Sequence, residues 1–235
     1  MKKVKSLMLA ATVLLVFAAQ AQTVDDIIAK HTEALGGKEK ISQVKSIYME
    51  NSVEVMGNTS PSVETLVQGK GFKSETDAGG MKFVNTYTDK GGWMINPMMG
   101  GSDAQDMPDE MYKSGKNQIY FGGALVDYAA KGNKVELLGK DGNDYKIKVT
   151  AGTNESIYYV DGTTYYVTKI TSKGEMMGQP ADITMTFSDY KKTDFGVVIP
   201  YTRSADFGQF ALSYKTTKVE VNKEIDPKIF DKPAK

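Results

Sequence analysis

Cysteine is absent from this chain, histidine occurs once as His31, and arginine occurs once as Arg203. Without thiols there is no disulfide framework and no thiolate ligand set, and with one imidazole most hydrolytic and metal-site templates lose their central residue. A serine triad would have to use His31, and no G-x-S-x-G elbow accompanies it. A surplus of positive charge is missing too. The 29 Lys and Arg are balanced by 29 Asp and Glu and form no dense run, which argues against a nucleic-acid partner. Composition is otherwise that of a folded domain, 40% hydrophobic and 25% charged over 235 residues.

One apolar run stands at the N-terminus. Lys2, Lys3 and Lys5 precede Leu7 to Ala19, and Ala19-Gln20-Ala21 has the small-x-small form of a signal-peptidase site. That run falls short of the roughly 20 residues needed to span hydrocarbon, so a cleaved signal over residues 1–21 is expected rather than an anchor. Gln22 stands where a lipoprotein would carry its acylated Cys. Cleavage removes Lys2, Lys3 and Lys5 and no acid, leaving residues 22–235 as a single, mildly acidic domain. A chain of that length buries about 70% of its unfolded surface and needs no disulfides. The expected compartment is a bacterial periplasm, and the expected protein a soluble monomer.

The period of the apolar residues then organises the chain. Val24, Ile27, Ile28, His31 and Leu35 recur at helical spacing behind a Thr23/Asp26 capping box, and Gly36-Gly37 ends the helix. A short helical turn is expected from Lys38 to Val44. From Ile47 the period becomes two, in alternating runs separated by turn clusters at Gly57-Asn58, Asp77 to Gly80 and Asp89 to Gly92. Between Pro97 and Gly132 the alternation breaks, and a loop with one or two helices is expected there, starting at Pro108-Asp109-Glu110. Alternation resumes from Val135 and runs almost to the C-terminus, with Asp161-Gly162 expected as a two-residue hairpin turn. About ten strands in hairpin order exceed what a flat sheet carries. The fold class is therefore α+β, a strongly curved antiparallel sheet whose helices cover its concave face.

Three segments carry a family resemblance: Ile27-Ile28-Ala29-Lys30-His31 through Leu35-Gly36-Gly37-Lys38-Glu39-Lys40-Ile41, Tyr158-Tyr159-Val160-Asp161-Gly162, and Phe187-Ser188-Asp189-Tyr190-Lys191. Val221-Asn222, Ile225-Asp226 and Phe230 add to it. Over most of the mature chain these segments resemble the periplasmic outer-membrane lipoprotein-sorting or carrier-like (LolA-like) family. The resemblance implies an unclosed half-barrel whose mouth is covered by helices and whose apolar cavity takes acyl chains, with transport or sensing of lipid as its role. The best-studied carriers hold their lid with a buried arginine, whereas Arg203 lies late in this chain, so no functional residue is transferred.

Thirteen methionines are many, and several cluster around the interruption. Met94, Met98, Met99, Met107 and Met111 flank it, while Met176 and Met177 sit in a later connection. Unbranched thioether chains repack around variable apolar shapes, so these residues, with Trp93, Tyr120 and Phe121, are the candidate ligand-binding set. Ordinary core filling is the competing explanation. His31 reads as a half-buried helix residue, Asp103, Asp106, Asp109 and Glu110 as a solvated helix start, and Asp141 to Asp144 as a hairpin turn lacking the closing Glu of a calcium loop. No catalytic set, metal site or cofactor is expected.

Two readings of function remain from the sequence. The first is a non-enzymatic binding protein for the acyl chains of a lipid or lipoprotein. The second is a structural or regulatory partner of an envelope complex that docks on a membrane protein through the same fold. A hydrolase would need a perturbed carboxylate inside the cavity.

Overall fold

The computed structural model describes residues 22–99, 101–176 and 179–234, so the segment read as a signal peptide and Met177 lie outside the described residues. Helix α1 (Val24–Ala34) begins as its sequence directs. The Thr23 hydroxyl accepts from the Asp26 N–H at 3.1 Å, and the Asp26 carboxylate accepts from the Thr23 N–H at 3.0 Å. Ile27, Ile28 and His31 form its buried face. α2 (Lys38–Ser42) is shorter than expected and stops before the buried Val44.

Thirteen strands follow among the described residues. They are β1 (Ser46–Val55), β2 (Asn58–Val67), β3 (Gly71–Ala78), β4 (Met81–Thr88), β5 (Gly92–Ile95), β6 (Gln105–Asp106), β7 (Lys134–Asp141), β8 (Asp144–Ala151), β9 (Asn154–Asp161), β10 (Val167–Met176), β11 (Gln179–Lys192), β12 (Val198–Asp206) and β13 (Ala211–Val221). All pair antiparallel in one sheet ordered β6-β5-β4-β3-β2-β1-β13-β12-β11-β10-β9-β8-β7. The first and last long strands pair in the middle, and β6 and β7 are left as the two edges. The sheet is an unclosed half-barrel, and the extra strands relative to the sequence reading include β6 and the division of the run before Asp77 into β2 and β3.

Two local expectations change. Asp161-Gly162 is not a two-residue turn: the loop closes between Asp161 and Tyr166, whose backbones bond at 2.9 Å. Asp161 Oδ1 accepts from the Thr163 and Thr164 N–H groups and the Thr164 hydroxyl, so a side chain sets the wider loop. Within the interruption, α3 (Asp109–Gly115) and a 3-10 turn over Lys116–Ile119 form, but the apolar stretch beyond Ile119 is a run of turns. Gly122, Gly123 and Asp127 all adopt positive φ there, which no helix accommodates.

Register divides the sheet into faces. Val221, Ile47, Leu66, Phe72 and Tyr87 form one row of cross-strand neighbours, and this row packs against Leu35, Ile41, Ile119 and Phe121. That is the inner face, and α1, α2 and the interruption close one end of it. Ile27, Ile28, Ala124, Leu125, Ile147, Val149 and Val160 form a second apolar cluster beneath α1 on β8 and β9. On the outer face the C-terminal segment folds over β3 and β4. The Phe230 ring sits where a side chain at position 71 would project, 2.6 Å from the place of its Cβ, so only glycine fits at Gly71.

Candidate functional site

Because β6 and β7 are opposite edges yet consecutive in sequence, residues 107–133 must run from one edge of the sheet to the other. This strap crosses the open side of the half-barrel. Its first part docks on β5 and the β2–β3 turn: Met107 N–H donates to Gly92 O at 2.9 Å, Gly69 N–H to Ile119 O at 2.8 Å, and Phe121 N–H to Gln68 Oε1 at 2.7 Å. Tyr112 of α3 stacks at 6.5 Å on Tyr87, whose ring also lies where a side chain on Gly115 would sit. Burial pushes the Tyr87 phenol up to about 12, so it stays neutral. Cα atoms of α3 also come within 8 Å of β10, on the opposite wall.

The second part of the strap docks under α1. Leu125 is fully buried, Asn133 Nδ2 donates to Ala124 O at 3.0 Å, and the Tyr128 hydroxyl donates to Asp25 Oδ1 at 2.7 Å. Lys131 staples this run of turns to itself. Its ammonium donates to Gly123 O at 2.6 Å and to Val126 O, and lies 4.9 Å from the centre of the Tyr120 ring. Burial pushes the ammonium down to about 8, with the Asp127 carboxylate opposing in part. Sequence reading missed Lys131, because nothing in its spacing distinguishes it from a solvated lysine.

The expected ligand-contacting residues separate in the structure. Met94, Met107 and Phe121 are buried together in the inner apolar cluster, and Tyr120 packs against it half-buried. Trp93 does not join them. It pairs with Thr86, which pairs with Lys73, on the outer face, and its indole N–H donates to Phe230 O at 2.7 Å. Met98 is 68% exposed and Met111 38%. Met99 ends the 3-10 turn from Pro97 and Met176 ends β10, while Met177 lies outside the described residues. His31 is buried rather than half-buried, with Nδ1 2.7 Å from Tyr165 O, and burial lowers its pKa from the ordinary value against the effect of that bond.

Beyond the apolar row the inner face changes character. The next rows contain Met49, Glu64, Ser74 and Asn85, then Thr216, Asn51, Ser62 and Thr76. After these come Phe187, Arg203, Tyr214 and Val53. Arg203 reaches across two strands to Glu64, Nη2 to Oε2 2.7 Å, with its guanidinium 5.1 Å from the Tyr214 ring. Burial alone would lower the Arg203 pKa, but the Glu64 carboxylate outweighs it and holds the guanidinium above its ordinary range. The signal in the sequence was a charged residue, Glu64, at a position whose parity with Leu66 makes it inward-facing. Elsewhere, a half-open cleft of about 330 Å³ lies between the β11–β12 turn and the end of β13, lined by Phe195, Val219, Asp194, Glu220 and Lys223 among others. Among the described residues no cluster of three or more His, Asp or Glu side chains is placed to hold a metal ion.

No family model matches the chain, and no curated protein sequence does. Among solved structures, the chain is similar to an outer membrane lipoprotein-sorting protein domain from Vibrio parahaemolyticus, at 14% identity and TM-score 0.55, covering 87% of this chain and 96% of that one. It is similar to a LolA superfamily protein from Nitrosomonas europaea at 10% identity and TM-score 0.55, covering 90% and 99%. A DUF1329 family protein from Desulfovibrio piger matches at 12% identity and TM-score 0.56, covering 90% and 98%. At these identities the likeness concerns the fold, which is the LolA-like unclosed half-barrel that the sequence resembles.

Proposed function

We propose that this protein binds the acyl chains of a lipid or lipoprotein inside its half-barrel, as a periplasmic carrier without covalent chemistry of its own. One observation carries the reading. The strap over residues 107–133 lays Met107, Ile119 and Phe121 on the inner face of a sheet that stays open between β6 and β7. The side-chain contacts there are apolar, so an acyl chain can replace them as the strap lifts, at little net change in buried apolar area, while the bonds that tie Met107, Ile119 and Phe121 to Gly92, Gly69 and Gln68 are exchanged for bonds to water. The names of the similar solved structures, a lipoprotein-sorting domain among them, favour the same cargo. The mature domain would then be residues 22–235, exported by the signal at its N-terminus.

The test is native mass spectrometry with lipid extraction on the mature protein purified from its own cells. Co-purified acyl species near unit stoichiometry support the proposal. A protein that emerges empty and takes up neither fluorescent fatty acid nor lipopeptide sinks it, and the docking reading replaces it.

A further inference from the structure

The polar stripe on the inner face holds two donors with no acceptor among the described residues. Asn51 is 4% exposed, and both the Arg203 Nη2 at 3.4 Å and the Thr216 hydroxyl at 2.8 Å donate to its Oδ1. Two donors converging on one atom fix the amide orientation, so Nδ2 points the other way. Among the described residues Asn51 Nδ2 is buried without a partner, and so is Arg203 Nε. A buried donor left unpaired costs about 1–3 kcal/mol, and native interiors rarely hold two within one cluster. Both belong to side chains in neighbouring rows of the same face, and around them Met49, Ser74, Asn85 and Tyr214 are only half-buried. Those half-buried side chains are the ones that would move aside to admit an occupant to the two enclosed donors.

Charge narrows what an occupant can be. Glu64, at 2.7 Å, already neutralises Arg203, so the cluster offers hydrogen-bond donors without net positive charge. A carboxylate or phosphate entering here would meet the Glu64 carboxylate and lose its hydration without gaining a counter-charge. A neutral carbonyl oxygen accepts from either donor and brings no charge. Rows to either side of the stripe are apolar, Ile47, Leu66 and Phe72 toward the helices and Met185, Ala205, Leu212 and Val55 beyond. That order, apolar then donor then apolar, matches an acyl chain carrying an ester or amide.

We infer that Asn51 Nδ2 and Arg203 Nε form a subsite for the ester or amide carbonyl of an acylated ligand, selecting acyl esters and amides over free fatty acids and hydrocarbons. This rests on the acyl-binding reading above. The test offers the mature protein an equimolar mixture of methyl laurate, laurate and tridecane and reads the bound ratio by native mass spectrometry. One hydrogen bond is worth about tenfold, so the ester should exceed each of the other probes by at least about tenfold. Asn51→Asp keeps the acceptor for Thr216 and removes the free donor. The pair Arg203→Met with Glu64→Met removes both charges together. In both variants the ratio of ester to tridecane should fall toward unity, and Asn51→Asp decides alone where the double variant does not fold. Equal uptake of all three probes by the wild type, or a preference that survives Asn51→Asp, overturns the subsite and leaves acyl binding standing. Failure to take up any probe overturns both.

Discussion

The two ends of the inner face differ in the kind of force that organises them. Near α1 and α2, Ile47, Leu66, Phe72 and Tyr87 meet the strap through apolar contacts, which have no direction and accept substitutes of similar volume. One to three rows further on, Glu64, Asn51, Thr216 and Arg203 depend on one another through bonds of fixed geometry. A surface built like the first holds many shapes weakly distinguished. A surface built like the second tolerates few, and loses its balance when any one member goes. Placing both on one face gives a binding wall that is permissive along a chain and selective at one point.

Breaking the polar end should cost most. Arg203→Met leaves the Glu64 carboxylate, 5% exposed, without its partner, and about 3–5 kcal/mol of stability should be lost in urea unfolding. Adding Glu64→Met should restore most of it, and a double variant no better than the single would show that Arg203 serves through packing on Tyr214 instead. In the apolar end, Ile119→Ala should cost about 3 kcal/mol through the cavity it leaves, whereas Ile119→Leu should cost less than about 1.5. Similar losses in both would mean the strap requires one shape, contrary to a replaceable lining.

A titration sharpens the comparison further. Native Lys131 loses its proton near pH 8, while in the unfolded chain it does so near 10.5, so between these values the unfolded chain binds the extra proton. Stability should therefore rise from pH 8 toward pH 10, and the slope should vanish in Lys131→Met. Above pH 10 the buried phenols Tyr87 and Tyr158, both pushed up to about 12, act in the opposite sense, because the unfolded chain releases those protons first. An unchanged slope in Lys131→Met would place the titrating group elsewhere. The smallest effects lie outside the wall. Trp93→Phe should cost about 1 kcal/mol for the lost bond to Phe230 and leave fatty-acid uptake as it was. Met98→Asp should shift stability by less than about 0.5 kcal/mol at so exposed a position, while lowering uptake if the Pro97–Met99 turn borders the entrance.

Much of the fold was legible because its signals are local. The Thr23/Asp26 box, the stop at Gly36-Gly37 and the alternation from Ile47 onward each fix a conformation within a few residues. The strap was legible as an interruption but not as turns, since Gly122, Gly123 and Asp127 break the helix that the apolar residues around them suggest. The methionine set was half legible. Met94 and Met107 join the inner wall, and Met98 and Met111 lie largely outside it.

Sequence alone determined the alternation, the turns, the curvature that so many hairpin strands require, and which residues share a face. It did not determine which face is covered. Trp93 and Met94 are adjacent and both apolar, so parity puts them on opposite sides without saying which side is inner. That was decided by Phe230, 137 residues away, whose carbonyl takes the Trp93 N–H. The Arg203–Glu64 pair is likewise a product of β1 meeting β13, which brings together residues 139 apart in the chain. Period-two patterning acts between neighbours, whereas coverage and ion pairing depend on contacts that exist only once the sheet has curled.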